Sequence, residues 1–330
     1  KAGYGMIRVH LTLFAVALFY GIMFSLAGEI MPHYLTPEGF VWMRVAFAAL
    51  CFQLVALALP KEPIDWKAHG WELALCGFLG TSANMYLFFK GLALTKPING
   101  AVLMLVTPLA VALLDHWRLR QGMRAGFVVG LLMACVGALM MMTGANSAEL
   151  FDSSHWKGDV YVAINALLYA FYLVRVKQLT PHYQANTINR ISFGLGLAYM
   201  SLYALAHWWL TDMSITTQSG QRSSFSLAFL GPDTAHMPNA IFWKIAYTLV
   251  FVSFLVYLLN TYAVKKAGPT LAGIYIYLQP VLATAIALSL GRDELSWTKS
   301  ACMVLVLIGV WIAKENSPSV LRNRLSSQQN

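Results

Sequence analysis

Long apolar runs, separated by short polar segments, make up most of this chain. A helix needs about 20 residues of this kind to cross the hydrocarbon core of a bilayer. Ten runs approach that length, so the pattern predicts an all-α, polytopic membrane protein with ten transmembrane helices. The predicted spans are Val9–Met31, Pro37–Leu59, Trp71–Leu92, Pro97–Trp117, Arg124–Gly144, Gly158–Leu179, Thr187–Leu210, Ala240–Ala263, Pro269–Leu290 and Trp297–Glu315.

An internal repeat relates the two halves of this pattern. In each half, two prolines are followed by a glycine, and both separations are the same in the two halves. A single displacement along the chain, which we call the repeat shift, therefore superimposes the two sets. A weaker echo relates Leu35-Thr36-Pro37 to Leu179-Thr180-Pro181. The repeated residues are Pro97, Pro108 and Gly137 in the first set and Pro269, Pro280 and Gly309 in the second.

Each repeated unit holds five spans, and five is odd, so the second unit enters the bilayer from the opposite side. The sequence therefore predicts two inverted five-helix repeats, residues 9–144 and 158–315. Inverted repeats are typical of transporters in which one unit rocks against the other around a fixed site. A loop over Thr211–Asn239 and a disordered cytoplasmic tail over 316–330 complete the predicted organisation.

Composition agrees with lipid as the main solvent of this chain. Residues are 58% hydrophobic and 11% charged, whereas a soluble domain carries about 25% charged residues. The net charge of +9 is spread over loops, which argues against a nucleic-acid partner. Lys and Arg number 14 on one set of alternate loops and 7 on the other. This bias predicts a multi-pass protein of the inner (plasma) membrane with both termini cytoplasmic.

Motifs for catalysis and nucleotide binding are missing from the sequence. No His-Glu-x-x-His, no serine elbow and no phosphate-binding Gly-x-x-x-x-Gly-Lys-[Ser/Thr] segment occurs. Asp115 is the only acid clearly within a span, and the four cysteines are scattered through apolar runs. We therefore expect no enzyme activity, no cofactor and no metal site.

Two prolines within spans mark candidate helix bends. Pro108 and Pro280 each remove a helical hydrogen bond and free a carbonyl, near Met104 in the first case. In lipid such a carbonyl must face protein or a water-filled cavity. Thr107 and Gln279 precede the two prolines, and each is either a solute contact or an interhelical hydrogen bond.

Tyrosines and asparagines deep within the spans are candidates to line a solute cavity. A tyrosine there offers a flat apolar wall and one hydrogen-bond donor, which suits an amphipathic solute, although tyrosines also form interfacial belts. Tyr275 and Gln279 are one helical turn apart, so the two share a helix face. The remaining candidates are Tyr20, Asn84, Asn165, Tyr169, Tyr257 and Asn260.

Three basic residues and one acidic residue within the spans each have two possible roles. Lys90 lies near the end of span 3, where it either snorkels to the interface or meets a substrate carboxylate. Arg44 and Arg190 occupy nearly equivalent places in the repeat and either bond helix-end carbonyls or contact the solute. Glu29 is either an interfacial residue or a proton site.

The chain resembles an EamA-type transporter of the drug/metabolite transporter superfamily over about residues 9–315. The resemblance depends on the segment from Gly91 to Leu103, on Thr107-Pro108, on Leu278-Gln279-Pro280-Val281 and on Asp293-Glu294-Leu295. Two departures stand out: a basic run from Arg118 to Arg124 replaces the acid expected before span 5, and the first unit reads Pro-Leu instead of Pro-Val.

This resemblance implies export of amino acids or related small metabolites, with a central cavity lined mainly by spans 1, 3, 4, 6, 8 and 9. The leading hypothesis is a secondary transporter that works by alternating access. Its expected partners are a small-molecule substrate, the lipid bilayer and a proton or other coupling ion, and it is expected to be a monomer or a homodimer. A channel, a lipid scramblase and an intramembrane enzyme are the alternatives.

Overall fold

The computed structural model describes residues 2–31, 34–60, 62–95, 103–119, 124–143, 156–219, 237–289 and 297–316. These residues form ten helices and no strand, which confirms the predicted all-α fold. Pro97, the Asp293-Glu294-Leu295 segment, most of the predicted loop before Asn239 and the tail beyond Asn316 lie outside the described residues.

The first half of the chain contributes five helices. The third, α3, is continuous but changes its hydrogen-bond pattern midway. It consists of Trp66–Gly77, the π-helical segment Phe78–Ser82 and Ala83–Leu94. The other four are α1 (Ala2–Ile30), α2 (Pro37–Ala58), α4 (Val106–Leu119) and α5 (Ala125–Thr143).

The second half contributes five more helices, and two of them are irregular. The eighth helix, α8, consists of Asn239–Tyr247, the π-helical segment Thr248–Leu255 and Val256–Ala267. The ninth, α9, consists of Pro269–Ile274, a 3-10 turn at Tyr275–Tyr277 and Leu278–Ser289. The others are α6 (Trp156–Leu179), α7 (Ala185–Ser219) and α10 (Trp297–Glu315).

Two prolines begin helices, as the pattern predicts. Pro37 is in the first turn of α2, and the Thr36 hydroxyl accepts a hydrogen bond from the Gly39 N–H at 3.0 Å. Pro269 opens α9 directly after Gly268, whose φ of +88° is a conformation that favours glycine. This glycine allows the chain to leave α8 and start α9 without an intervening loop.

α7 and α3 are among the helices that are longer than the apolar pattern predicts. α7 continues to Ser219, so the predicted loop from Thr211 is wrong for its first residues; neither glycine nor proline interrupts the chain between Leu210 and Gly220. α3 begins at Trp66 because the carboxylate of Asp65 accepts the N–H groups of Lys67 and Ala68 and caps the helix before its apolar part starts.

Five helical segments among the described residues are long and apolar enough to cross a membrane by length and composition. They are Met6–Met23, Pro37–Ala58, Trp156–Leu179, Asn239–Ala267 and Pro269–Ile286. A shorter apolar helix covers Ala125–Met140. The number of ten crossings and the inverted arrangement of the two units stay predictions.

Glycines allow two pairs of helices to approach closely. A Cβ on Gly130 of α5 would lie 2.4 Å from the backbone nitrogen of Ala313 in α10, and one on Gly137 would lie 3.1 Å from the Cys302 carbonyl. Contacts therefore run in opposite directions along the two helices, which are antiparallel. α3 and α6 meet in the same way, because a Cβ on Gly91 would lie 2.8 Å from the Gly158 carbonyl.

Candidate functional site

A cavity lies between the two halves of the chain, and we call it the central cavity. Its walls come from α1, α2, α3, α6, α8 and α9, with Met104 just before α4. The space between its walls, including the open mouth, is about 620 Å³. Seven of the residues predicted to line a solute cavity or free a carbonyl into it do line it: Tyr20, Asn84, Met104, Asn165, Tyr169, Tyr257 and Gln279.

A smaller cavity, which we call the side cavity, adjoins the central one. The two share Tyr20, Tyr169, Ile276 and Gln279 as lining residues. Asn260 and Tyr275 line the side cavity, so these two predicted residues lie beside the central cavity rather than in it. Asn260 donates to the Tyr169 hydroxyl at 2.8 Å, which ties α8 to α6 at the junction of the two cavities.

The hydroxyl of Tyr275 is engaged with a residue of α1, His10. Its distance to Nδ1 of His10 is 2.8 Å, and the two rings are stacked with centroids 5.9 Å apart. Gln279, one helical turn further along α9, lines both cavities. The shared helix face predicted for these residues therefore faces α1.

Two predicted residues do not line either cavity. Lys90 is ion-paired with Glu38 of α2, with Nζ and Oε1 2.6 Å apart. The two roles considered for Lys90, snorkelling to the interface and solute binding, stay predictions. Thr107 is fully buried in α4, and its hydroxyl has no hydrogen-bond partner among the described residues.

The backbone is irregular within one turn before each predicted bend. Leu105 is in a turn ahead of Pro108, and the 3-10 turn Tyr275–Tyr277 precedes Pro280. The Tyr277 hydroxyl donates to the Leu105 carbonyl at 3.3 Å, and the repeat shift carries Leu105 onto Tyr277. The two irregular segments therefore meet each other, and the Tyr277 hydroxyl links them.

Reciprocal asparagine bonds join α3 and α6 at the cavity wall. Asn165 donates its side-chain amide to the Asn84 carbonyl at 2.6 Å, and Asn84 donates to the Asn165 carbonyl at 3.4 Å. Because both amide nitrogens point at backbone carbonyls, the side-chain oxygens are oriented as well. The side-chain oxygen of Asn165 accepts no hydrogen bond from the described residues.

Arg44 of α2, for which helix-end bonding and solute contact were the two alternatives, also lines the central cavity. It is only 2% exposed, and its Nε donates to the Ser253 hydroxyl in the π-helical segment of α8 at 2.8 Å. Its guanidinium carbon lies 4.9 Å from the ring centroid of Phe89 and 5.6 Å from that of Phe40. A signal was present in the sequence, because an arginine deep within a span is costly and usually has a function.

Arg190 does not share this environment. It is half-buried on α7 and is not one of the residues that line the central cavity. The two arginines therefore occupy nearly equivalent positions in the repeat but have different surroundings. Span 2, which the resemblance did not include among the cavity walls, supplies the cation of this cavity.

The walls of the central cavity combine apolar surface with a few polar groups. Phe88, Phe89 and Leu92 add apolar surface to the predicted tyrosines, while amides, phenols and one guanidinium supply polar contacts. Few polar groups on mostly apolar walls are typical of sites for small organic molecules. Among the described residues no group of three His, Cys, Asp or Glu side chains is placed to hold a metal ion.

Comparison with known proteins gives agreeing matches. The sequence model of the EamA-like transporter family matches residues 7–143 and 156–313. The uncharacterized transporter YyaM of Bacillus subtilis (strain 168) is 22% identical over 307 residues, 93% of each chain. An uncharacterized transporter of Archaeoglobus fulgidus is 23% identical over 86% of this chain and 88% of its own. One crystal structure superimposes with a TM-score of 0.68 at 16% identity and covers 94% of this chain and 98% of its own, which shows a shared fold.

Proposed function

The chain belongs to the EamA-like transporter family, and from that premise we propose that it is a secondary transporter that exports amino acids or related small amphipathic metabolites. The observation that carries the proposal is the central cavity, whose lining comes from both halves of the chain. A site at the interface of two repeated units can be opened to either side when one unit rocks against the other. Alternating access is thus the proposed mechanism.

Contacts between helices support the inverted arrangement of the two units. α1 packs on α9, and α6, its counterpart, packs on α4; α3 packs on α6, and α8 packs on α1. The α5–α10 pair supports it further, because exchanging the units by the repeat shift turns the Gly130–Gly309 contact into the Gly137–Cys302 contact. Antiparallel packing of two equivalent helices is the arrangement expected of inverted units.

The π-helical segments support the same register independently of the prolines. Applying the repeat shift to Phe78–Ser82 of α3 gives 250–254, which falls within the π-helical Thr248–Leu255 of α8. π-helical turns are rare and occur mostly at functional sites. Their recurrence at equivalent places favours a shared role beside the cavity.

Transport itself is the first property to test. Purified protein in liposomes is loaded with a mixture of radiolabelled amino acids and small amphipathic metabolites, with and without a pH gradient. We expect efflux that saturates with solute concentration and counterflow when unlabelled solute is on the other side. Efflux that rises linearly with concentration, without counterflow, would instead favour a channel or scramblase.

The cavity is tested by variants of α9. Gln279→Ala and Tyr275→Ala are expected to reduce transport while expression stays normal, because both remove polar groups from cavity walls. Gln53→Ala is the matched control, since Gln53 is exposed on α2. Wild-type rates in both α9 variants would remove these residues from the solute pathway.

Orientation, oligomeric state and coupling belong to the same proposal. The Lys/Arg bias supports cytoplasmic termini in the inner membrane, and a proton is the proposed coupling ion for a monomer or homodimer. A C-terminal alkaline phosphatase fusion is expected to be inactive, because that enzyme folds only outside the cytoplasm. Activity of the fusion would overturn the orientation.

A further inference from the structure

We infer that Arg44 binds the anionic end of the transported solute, so that the central cavity selects small organic molecules bearing a carboxylate; this inference rests on the proposed transport function. Arg44 is one of the lining residues and is almost completely buried. A guanidinium stays charged in proteins, and a buried charge is strongly unfavourable unless an opposite charge compensates it. Arg44 therefore needs an opposite charge close to its guanidinium group.

The part of the protein that the structure describes does not supply that charge. Eight acidic residues have described side chains, and each is engaged with another group. Glu29, Glu38, Glu72 and Glu315 pair with Lys244, Lys90, Arg175 and Lys314, while Glu62, Asp65, Asp115 and Asp159 accept hydrogen bonds from Gln184, Lys67, Thr270 and Thr95.

The partners of Arg44 are neutral. Nε is occupied by the Ser253 hydroxyl at 2.8 Å, and the rings of Phe89 and Phe40 lie against the guanidinium. These contacts hold the planar group in one orientation without neutralising it. The two terminal amino groups have no hydrogen-bond partner among the described residues.

A carboxylate fits those remaining donors. The terminal amino groups of an arginine form a fork that matches the two oxygens of a carboxylate, and such bidentate pairs are among the strong hydrogen bonds of proteins. The apolar part of the solute would lie against Phe88 and Leu92 on the same cavity wall. Fixing the guanidinium in advance reduces the entropy lost on binding.

The inference is tested first on the wild-type protein, which avoids any question of variant folding. Thermal unfolding in detergent is measured with pairs of solutes that differ only in the anionic group, such as benzoate with benzamide and leucine with leucinamide. We expect stabilisation by at least one carboxylate and none by its amide. Equal stabilisation by both members of every pair, or none by any carboxylate, would overturn the inference.

Variants then assign the effect to Arg44. Arg44→Gln keeps amide donors but removes the charge, and is expected to weaken carboxylate binding by about 10- to 100-fold. Arg44→Lys keeps the charge without the fork and should retain part of the binding. Arg190→Gln, the matched control from the other unit, should bind like the wild type. A merely structural role for Arg44 would lower the unfolding temperature of Arg44→Gln while leaving the carboxylate-dependent shift intact.

The two proposals fail in different ways. Carboxylate binding that depends on Arg44, without solute flux in liposomes, would leave the inference standing and remove the transport function. Saturable flux of a solute that is equal in the wild type and in Arg44→Gln would leave the transport function standing and remove Arg44 from solute binding.

Discussion

α3 and α8 have the same backbone irregularity at positions related by the repeat shift, but use it for different contacts. In each π-helical segment a serine hydroxyl donates to a carbonyl of the preceding turn, Ser82 to Gly77 at 3.1 Å and Ser253 to Thr248 at 3.0 Å. Thr81 and Ser253 are the equivalent residues under the shift. The Thr81 hydroxyl lies 2.5 Å from the Gly77 carbonyl of its own helix and 3.2 Å from the Ser192 carbonyl of α7. Ser253 instead accepts a hydrogen bond from Arg44 of the central cavity.

The two units share the backbone geometry of these segments but differ in the side-chain contacts that the segments make. The widened turn is common to both helices and exposes carbonyls and hydroxyls that a regular helix would occupy. In α3 these groups bind neighbouring helices, since the Gly80 carbonyl accepts from Tyr257 at 3.0 Å. In α8 the Ser253 hydroxyl holds Arg44, which is among the described residues that line the central cavity. Backbone geometry therefore follows the repeat, while the chemistry of the site does not.

The largest expected effect comes from exchanging a residue between the two segments. Gly80 is equivalent to Val252, but a Cβ on Gly80 would lie 2.2 Å from the ring of the buried Tyr172. Gly80→Val should therefore cost more than about 3 kcal/mol, beyond ordinary overpacking, and leave little folded protein. Size-exclusion chromatography and thermal unfolding in detergent measure this.

The control for that exchange is Gly194→Val on α7, where a Cβ would meet nothing within 4 Å. It should purify like the wild type. A monodisperse Gly80→Val protein with wild-type unfolding temperature would mean that the two segments are interchangeable in packing. That result would contradict the difference in contacts between α3 and α8.

Next in size is the effect of removing the hydroxyl from each equivalent position. Ser253→Ala leaves the buried Nε of Arg44 without its partner, and transport is expected to fall about 10-fold, the value of a lost hydrogen bond to a charged group. Thr81→Ala should lower stability by about 1 kcal/mol and leave transport near the wild type. Liposome flux and unfolding temperature are measured for both; equal loss of flux in the two variants would contradict the assignment of chemistry to α8.

The sequence predicted the backbone features that the two units share better than the contacts in which they differ. Prolines and glycines constrain the backbone locally, so their spacing revealed the repeat shift. Tyr20, Asn84, Asn165 and Gln279 could be found because a polar group deep in a span needs a reason to be there. These features depend on single residues and on short spacings along the chain, which can be read directly from the sequence.

Partners of the charged residues could not be predicted in the same way. Arg44 meets Ser253, 209 residues away, and Lys90 meets Glu38, 52 residues away. Which of the two cations is free to meet a solute depends on how α2, α3 and α8 pack. The π-helical segments were also missed, because a uniformly apolar run looks the same whether its turns are regular or widened.

A smaller effect is expected from cutting the link between the two π-helical segments. Tyr257→Phe removes the hydrogen bond from α8 to the Gly80 carbonyl in α3 and should cost about 0.6 kcal/mol, the average for such bonds in membrane proteins. The unfolding temperature is the measurement, and Tyr262→Phe, at a half-buried tyrosine of the same helix, is the control. A loss of several kcal/mol would show that the segments act as one unit rather than as two that share a geometry.

The smallest effect is expected at Lys90, whose equivalent in α8 is the uncharged Tyr262. The side chains of Lys90 and Glu38 are 34% and 15% exposed, so water screens their attraction and a coupling energy of about 0.2–0.5 kcal/mol is expected. A double-mutant cycle with Lys90→Met and Glu38→Gln measures it in detergent. Lys90→Met should also keep its transport rate, because the lysine is outside both cavities. A strong transport defect in Lys90→Met with normal stability would place a second cation in the solute pathway and weaken the distinction drawn here between Arg44 and the other cations of the helices.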